Sequence, residues 1–295
     1  MTTSDTTRFP LALATLAAAA LGLALTGCHW AGQAERAARP IVEKNAEARG
    51  GLAAWRAIRS LSMSGQLEAG RPRDQAKLAR SLQRPTRERK AEARRVLAQG
   101  RLAEEAPPVL LPFTLELERP MHSRLEIRFQ GQTAVQVFDG GKGWKLRPFL
   151  GRKEVEPFSP EELRAAAEQA DLDGPLLDAD AKGSRVELEG TEPIEGRDAY
   201  RLKVTLRSGL VRRVWVDTQT YLDVRVDGTR KLDGVPRPVW TSLRDYRTVG
   251  GVKVPYLLET AVEGVPGSEK IQVEKVALNP KLDAARFAAP DPTHG

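Results

Sequence analysis

The segment Arg124-Leu-Glu-Ile-Arg-Phe-Gln-Gly-Gln-Thr-Ala-Val-Gln-Val-Phe138 decides the fold. Polar and apolar residues alternate in its first half, and a second such run follows the glycine. A period of two places Leu125, Ile127 and Phe129 on one face of a strand. Gly131 predicts a tight turn between two such runs. The segment is therefore predicted to be a β-hairpin.

The same alternation recurs along most of the chain after residue 60. The predicted strands are 60–67, 113–118, 124–130, 132–138, 200–206, 211–216, 222–227, 239–246, 253–262 and 271–278. Short connections require antiparallel pairing, and alternation gives a sheet with one apolar and one wet face. Because an apolar face must be covered, we predict a mainly β fold with a few helices. Its form is an open (incomplete) antiparallel β-barrel of about 10–11 strands with a helical lid.

Three segments predict the helices of that lid. Residues 40–48 begin with a proline, which suits the first position of a helix. Residues 52–58 place two aliphatic residues and a tryptophan on one face at helical spacing. Residues 159–170 open with Ser-Pro-Glu-Glu, which combines an N-cap, a proline and a capping-box glutamate, and continue with a narrow Leu/Ala stripe.

The N-terminus predicts export. Leu11 to Leu25 is an uncharged, Ala/Leu-rich run of about 22 Å as a helix, short of the roughly 30 Å hydrocarbon core, which favours a secretory signal over a membrane-spanning anchor. Leu25-Thr-Gly-Cys28 resembles a bacterial lipobox, in which the cysteine is acylated and becomes the new N-terminus. That resemblance implies a signal peptide at 1–27, lipidation (palmitate) of Cys28, and a membrane tether at 28–39.

The residue after the cysteine bears on the membrane. An aspartate directly after the lipidated cysteine resembles a signal for retention in the inner membrane. This chain has His29 at that position instead. The resemblance therefore implies the outer membrane, with the protein facing the periplasm.

Composition argues against catalysis. The chain has 295 residues, 46 Lys plus Arg, 39 Asp plus Glu, a net charge of +7 and one Cys. A single Cys excludes an internal disulfide framework and a Cys-rich zinc site. The three histidines, His29, His122 and His294, are far apart in sequence. We therefore expect no catalytic residue, no metal and no cofactor, and predict that the protein is not an enzyme.

The positive charge is concentrated in one insertion, residues 71–101. It holds 11 Lys/Arg against 3 acidic residues, hence 11 − 3 = +8. Clustered cations are attracted to anionic lipid headgroups at about 1 kcal/mol each. The absence of aromatic residues in this stretch argues against nucleic-acid binding. Two alternatives stay open: a solvated surface segment, or contact with anionic headgroups or an acidic protein.

Several motifs together resemble the LolA/LolB family of outer-membrane lipoprotein-sorting proteins. They are 47–55 (Glu-Ala-Arg-Gly-Gly-Leu-Ala-Ala-Trp), 138–144, 200–206, 214–225, 245–255 and 278–287. The likeness runs from about 45 to 290 and omits the basic insertion. It implies a single lipid-binding domain at 40–290 followed by a tail at 291–295. It also implies an open β-barrel with a helical lid that shelters the acyl chains of lipids or lipoproteins.

The predicted function follows from an apolar face left unfilled. A membrane-anchored lipoprotein would hold acyl chains in this half-barrel during lipoprotein or lipid trafficking to the outer membrane. Alternation nominates these lining residues: Leu115, Leu117, Leu125, Ile127, Phe129, Val135, Val137, Leu202, Val204, Val214, Val216 and Val224. Three alternatives stay open: a face filled by the chain's own side chains, an envelope-stress sensor that binds mislocalised lipoprotein and signals to a membrane partner, and an enzyme acting on lipid.

Overall fold

The computed structural model describes residues 16–68, 109–148, 152–232, 235–265 and 267–291, with side chains for all of these except 16–31, 152–153 and 230–232. The helices are α1 (Leu16–Ala48), α2 (Leu52–Arg56), α3 (Pro160–Gln169) and a C-terminal 3-10 helix (Ala284–Phe287). The strands are β1 (Ser60–Glu68), β2 (Leu110–Glu118), β3 (His122–Phe129), β4 (Gln132–Phe138), β5 (Gly143–Arg147), β6 (Arg152–Pro157), β7 (Arg185–Ile194), β8 (Arg197–Thr205), β9 (Val211–Asp217), β10 (Asp223–Leu232), β11 (Val235–Val249), β12 (Val252–Val262) and β13 (Glu269–Leu278).

The described strands form one antiparallel sheet that does not close into a barrel. Their order is β6-β5-β4-β3-β2-β1-β13-β12-β11-β10-β9-β8-β7, so β6 and β7 are the two edges. The predicted open antiparallel architecture with a helical lid is confirmed. The sheet has more strands than the 10–11 predicted, because β5, β6 and β7 were not among the predicted strands. β7 has a bulge between Leu188 and Gly190 that interrupts its alternation.

The helices begin close to their predicted positions, with one difference. α3 has the predicted capping box, in which Ser159 and Glu162 each accept a hydrogen bond from the other's backbone N–H. α1 continues unbroken through Pro40 and covers the segment predicted as a tether. Ala38, inside that segment, is 1% exposed, so the folded domain begins before residue 40. No helix among the described residues is both long and apolar enough to cross a membrane.

Several predictions concern parts of the chain outside the described residues. These parts are the side chain of Cys28, the basic insertion 71–101, the leader residues 1–15 and residues 292–295 of the predicted tail. The signal peptide, the lipidation and the role of the insertion therefore stay predictions.

Two glycine motifs that are distant in sequence meet at the turn between α1 and α2. Gly50 has φ +109°, and a Cβ there would lie 2.3 Å from the backbone oxygen of Gly251. Beside this contact, the backbone N–H of Lys253 donates to the carbonyl of Arg49 at 2.9 Å. The 47–55 motif thus docks directly on the 245–255 motif, and only glycine permits the approach.

The helices define an inner face of the sheet. α2 packs on the cluster that contains Leu61, Leu117 and Val254, and α1 packs on the cluster of β8 and β9. We call the face contacted by α1 and α2 the inner face. Directly opposed residues of paired strands share a face, so the strand register extends this assignment across the sheet.

Candidate ligand-binding trough

Two rows of apolar side chains cross the inner face, and they meet β1 at Met63 and at Leu67, with Gly65 between them. Leu115 of β2 is opposite Met63 of β1 and Leu125 of β3. On the other side of β1, Leu67 is opposite Ile271 of β13. Each of these residues is half-buried rather than fully covered. Because Met63 and Leu67 share one face of β1, the two rows belong to one partly uncovered apolar surface on four strands.

The row that meets β1 at Leu67 continues onto β12 and β11. Ile271 is opposite Leu258, and Leu258 is opposite Leu243. We name the whole surface the apolar trough. Its members are Met63, Leu67, Leu115, Leu125, Ile127, Leu243, Leu258 and Ile271, all half-buried. A partly uncovered apolar surface offers contact to an apolar guest without directional chemistry.

The trough is closed at one end by the lid. Trp55 of α2 is 2% exposed, and Ile58 just after α2 is 3% exposed. Leu177 from the segment between α3 and β7 is buried in the same cluster. These side chains pack on Leu61 and Leu117, so the chain itself fills this end of the inner face.

Arg119, which follows β2, ties the lid to the sheet. Its guanidinium donates to the carbonyls of Ile58 at 2.8 Å and Trp55 at 3.1 Å. The same group makes two hydrogen bonds to the Asp173 carboxylate, at 2.9 and 2.5 Å. A bidentate, charge-assisted pair of this geometry is among the stronger polar contacts in proteins. One side chain thus holds both α2 and the segment that carries Asp173.

A second buried polar group joins α1 to β10. Asn45 donates to the Asp223 carboxylate at 2.9 Å, and Arg49 lies 3.5 Å from the same carboxylate. Burial raises the pKa of Asp223, while Arg49 and Asn45 act in the opposite direction. Burial likewise raises the pKa of Tyr246, whose hydroxyl donates to the Asp223 carbonyl at 2.9 Å. This cluster fixes the position of α1 over the sheet.

One polar pair lies beside the trough. Thr241 of β11 and Thr260 of β12 are directly opposite, and their hydroxyl oxygens are 2.9 Å apart. By alternation they share the inner face with Leu243 and Leu258. Each hydroxyl therefore satisfies the other, which lowers the cost of placing polar groups next to an apolar surface.

The structure brings together part of the predicted lining. Leu115, Leu125 and Ile127 lie side by side in the trough. Leu117 is on the same face but is 5% exposed beneath the lid. Phe129 is the last residue of β3 and lies on the same face as Ile127, at the end of the strand away from α2.

Four predicted residues are covered by the protein itself. Leu202, Val204, Val214 and Val216 are each 0% exposed. They pack with Ala38 and Ile41 of α1 on the inner face. α1 thus occupies the half of the inner face formed by β8 and β9, and these four residues form a filled core there.

The prediction that Val135, Val137 and Val224 line the same surface as Leu125 is wrong, because their side chains project from the outer face of the sheet. Leu125 is opposite Gln136 and Ile127 is opposite Ala134, so Val135 and Val137 point away from the trough. Their cluster contains Phe287 of the C-terminal 3-10 helix.

Val224 is the third of these residues. It packs with Trp215, whose sequence neighbours Val214 and Val216 face α1. Because successive side chains of a strand point to opposite faces, Trp215 and Val224 lie on the outer face.

Five trough residues were missing from the predicted lining: Met63, Leu67, Leu243, Leu258 and Ile271. All five lie in strands that the sequence did predict. The signal was therefore present as alternation in those strands, but nothing in one strand tells which of its faces pairs with the trough.

A surface depression of about 300 Å³ lies elsewhere, at the tip of the β3–β4 hairpin. Pro112, Arg128 and Thr133 line it, and Phe129 is its one member from the predicted lining. By register, Pro112 and Arg128 belong to the outer face, so the depression is separate from the trough. In the part of the chain that the structure describes, no group of three or more His, Cys, Asp or Glu side chains is placed to hold a metal ion.

Comparison with known proteins identifies the fold. No family model and no curated protein sequence matches the chain. A LolA superfamily protein from Nitrosomonas europaea superposes with a TM-score of 0.50 at 13% identity, covering 85% of this chain and 97% of that one. A DUF1329 family protein from Desulfovibrio piger gives 0.49 at 13% identity, covering 85% and 96%.

A domain from Vibrio parahaemolyticus, provisionally described as an outer membrane lipoprotein-sorting protein, gives a TM-score of 0.48 at 10% identity, covering 84% of this chain and 94% of that domain. The superposition on the Nitrosomonas europaea protein confirms the resemblance found in the sequence for the fold alone. The chain has the fold of a LolA superfamily protein.

Proposed function

We propose that the protein is an exported lipoprotein that shelters the acyl chains of a lipid or lipoprotein in the apolar trough. Its acylated Cys28 tethers it to the outer membrane, facing the periplasm, where it takes part in lipid or lipoprotein trafficking. The observation that carries this proposal is the half-buried apolar surface that extends from Leu125 on β3 across β1 to Leu243 on β11. The fold shared with a LolA superfamily protein supports it.

The energetics favour such a guest. An acyl chain in water gains about 0.8 kcal/mol for each methylene that it buries. The trough supplies Leu, Ile and Met side chains that are partly uncovered in the protein alone. Occupancy would bury both surfaces at once, and no bond needs to be broken. The proposal therefore assigns no catalytic residue.

The basic insertion is attached beside the uncovered end of the trough. Residues 69–108 connect Glu68, the last residue of β1, to Val109, just before β2. Leu67, next to Glu68, belongs to the trough. The net charge of +8 over 71–101 is suited to anionic headgroups. In this proposal the insertion attracts the headgroup side of a lipid to the place where its chains enter.

Native mass spectrometry tests the proposal. The protein is exported with a cleavable secretory signal and a Cys28→Ser change, so that it is released from the membrane and purified without detergent. We expect mass additions that match phospholipid or diacyl species and disappear on denaturation. A single unliganded mass, together with no uptake of the fluorescent fatty acid cis-parinaric acid, would refute lipid binding.

A further inference from the structure

The ends of the strands away from α2 form one rim. β1 ends at Glu68 and β2 begins at Leu110, so this end of the sheet is opposite the lid. Because all neighbouring strands are antiparallel, the β10–β11 and β12–β13 connections lie at the same end. We call these strand ends the open rim.

The exposed large apolar side chains of the described residues all lie at this rim. Leu110 is 57% exposed at the start of β2, Val235 is 54% exposed at the start of β11, and Val265 is 43% exposed in the β12–β13 turn. The fourth, Val211 at 38%, begins β9. Single exposed aliphatic residues are common on proteins. Their confinement to one end of the sheet is what needs an explanation.

One hairpin projects from the rim. The pairing of β11 with β12 begins at Val239, whereas its pairing with β10 begins at Val235. β11 and its partner β10 therefore extend 239 − 235 = 4 residues beyond the end of β12, which is about 13 Å at the usual rise of a strand. Val235 stands at the projecting end.

The N-terminal side of α1 reaches the same rim. Glu35 lies 3.3 Å from Arg185, the first residue of β7. Arg185 is opposite Thr205, which is opposite Val211, so all three belong to the open rim. Cys28 precedes Glu35 by seven residues (35 − 28), a span of at most about 25 Å even when fully extended.

We propose that the open rim docks on the bilayer that holds the protein's own lipid anchor, inserting Leu110, Val235 and Val265 at the boundary between headgroups and acyl chains. This inference rests on the proposed function for the anchor at Cys28. Docking turns the uncovered end of the trough toward the membrane. An acyl chain then passes between trough and bilayer without crossing water, which removes the cost of hydrating its methylenes on the way. A lipid chain plus a second apolar contact also holds a protein more firmly than one signal alone.

Site-specific fluorescence quenching tests the orientation. The chain has a single native Cys, at 28, which acylation blocks, so an introduced cysteine is labelled alone. The lipidated full chain carrying Val235→Cys or Val265→Cys is labelled with the environment-sensitive fluorophore NBD. It is then placed in vesicles of phosphatidylethanolamine and phosphatidylglycerol. Ala53→Cys in α2 and Thr248→Cys near the lid end of β11, both at exposed positions, are the matched controls.

We expect NBD at the two rim positions to shift to the blue and to lose intensity when nitroxide-labelled lipids are included, while the controls change little. Adding Leu110→Asp and Val265→Asp to the Val235→Cys protein should abolish both effects. Equal quenching at rim and control positions, or none at the rim, overturns the docking. Uptake of cis-parinaric acid by the same labelled proteins separates the two proposals: uptake with an unquenched rim contradicts docking alone, and loss of uptake contradicts the trough.

Discussion

Leu257 and Leu258 allow a test of the trough by two neighbouring and chemically identical residues. Both are half-buried on β12. Leu258 is opposite Ile271 and packs with the lid cluster, whereas Leu257 is opposite Arg244 and Gln272 on the outer face. We predict that Leu258→Ala weakens fatty acid binding and that Leu257→Ala leaves it unchanged.

The size of the effect follows from the contact that is lost. Replacing leucine by alanine removes three carbons, of which the trough-facing part corresponds to one or two methylenes of contact with a bound chain. At about 0.8 kcal/mol per methylene, the loss is about 0.8–1.6 kcal/mol. The dissociation constant should therefore rise roughly 4- to 15-fold.

The assay is a displacement titration of cis-parinaric acid by palmitate, with the Cys28→Ser protein and thermal unfolding of each variant as a check on folding. Equal loss of affinity in the two variants, or a larger loss in Leu257→Ala, would refute the assignment of the trough to the inner face.

Three further predictions concern stability. Gly65→Ala should lower the unfolding free energy by about 1–3 kcal/mol in a urea titration, because its Cβ would lie 2.0 Å from the carbonyl oxygen of Gln272; an unchanged midpoint would contradict this. Phe287→Ala should cost about 3–5 kcal/mol in the same titration, since Phe287 is 3% exposed against the outer face, and a cost below 1 kcal/mol would show that the C-terminal 3-10 helix is not part of the core. Hydrogen bonds from Arg244 lower the pKa of Glu195, with burial acting in the opposite direction, so the unfolded chain binds the proton first as pH falls. The stability that Glu195 contributes is therefore complete above the ordinary glutamate pKa and is lost as pH falls through the lower pKa of the folded state. Melting temperatures measured from neutral pH to pH 3 should fall less steeply for Glu195→Gln than for the unaltered protein. Parallel curves for the two proteins would contradict this role of Glu195.

Alternation predicted the architecture because it reports one local fact reliably, namely that a strand has two different faces. It therefore found most strands, the hairpin at Gly131 and the antiparallel order. It missed β6, which is short and charged, and β7, whose bulge at Gly190 shifts the period. The capping box at Ser159 was readable because all of its contacts are local.

The composition of the trough was less predictable, because faces are matched between strands only by register. β4 shows the difficulty: Ala134 and Phe138 belong to the inner face, while Val135 and Val137 are covered on the outer face by Phe287. A strand covered on both sides has no wet face for the pattern to reveal.

Long-range cover was also invisible in the sequence. Leu202 and Val214 have the alternation of a ligand surface, but α1 lies over them. The contact that holds α1 in place joins Asn45 to Asp223, 178 residues apart. No local pattern encodes such a pair, so a filled part of the inner face could not be distinguished from an open one.

Photoaffinity labelling tests the central claim most directly. The Cys28→Ser protein is irradiated in the presence of a palmitate analogue that carries a diazirine near the end of its acyl chain. The adducts are located by peptide mass spectrometry. We predict adducts on β1, β2, β12 and β13 at Met63, Leu115, Leu258 and Ile271 or at other inner-face residues of these strands, suppressed by excess palmitate. Adducts confined to outer-face residues such as Val135 and Leu257, or no adduct that palmitate suppresses, would contradict an acyl-binding trough.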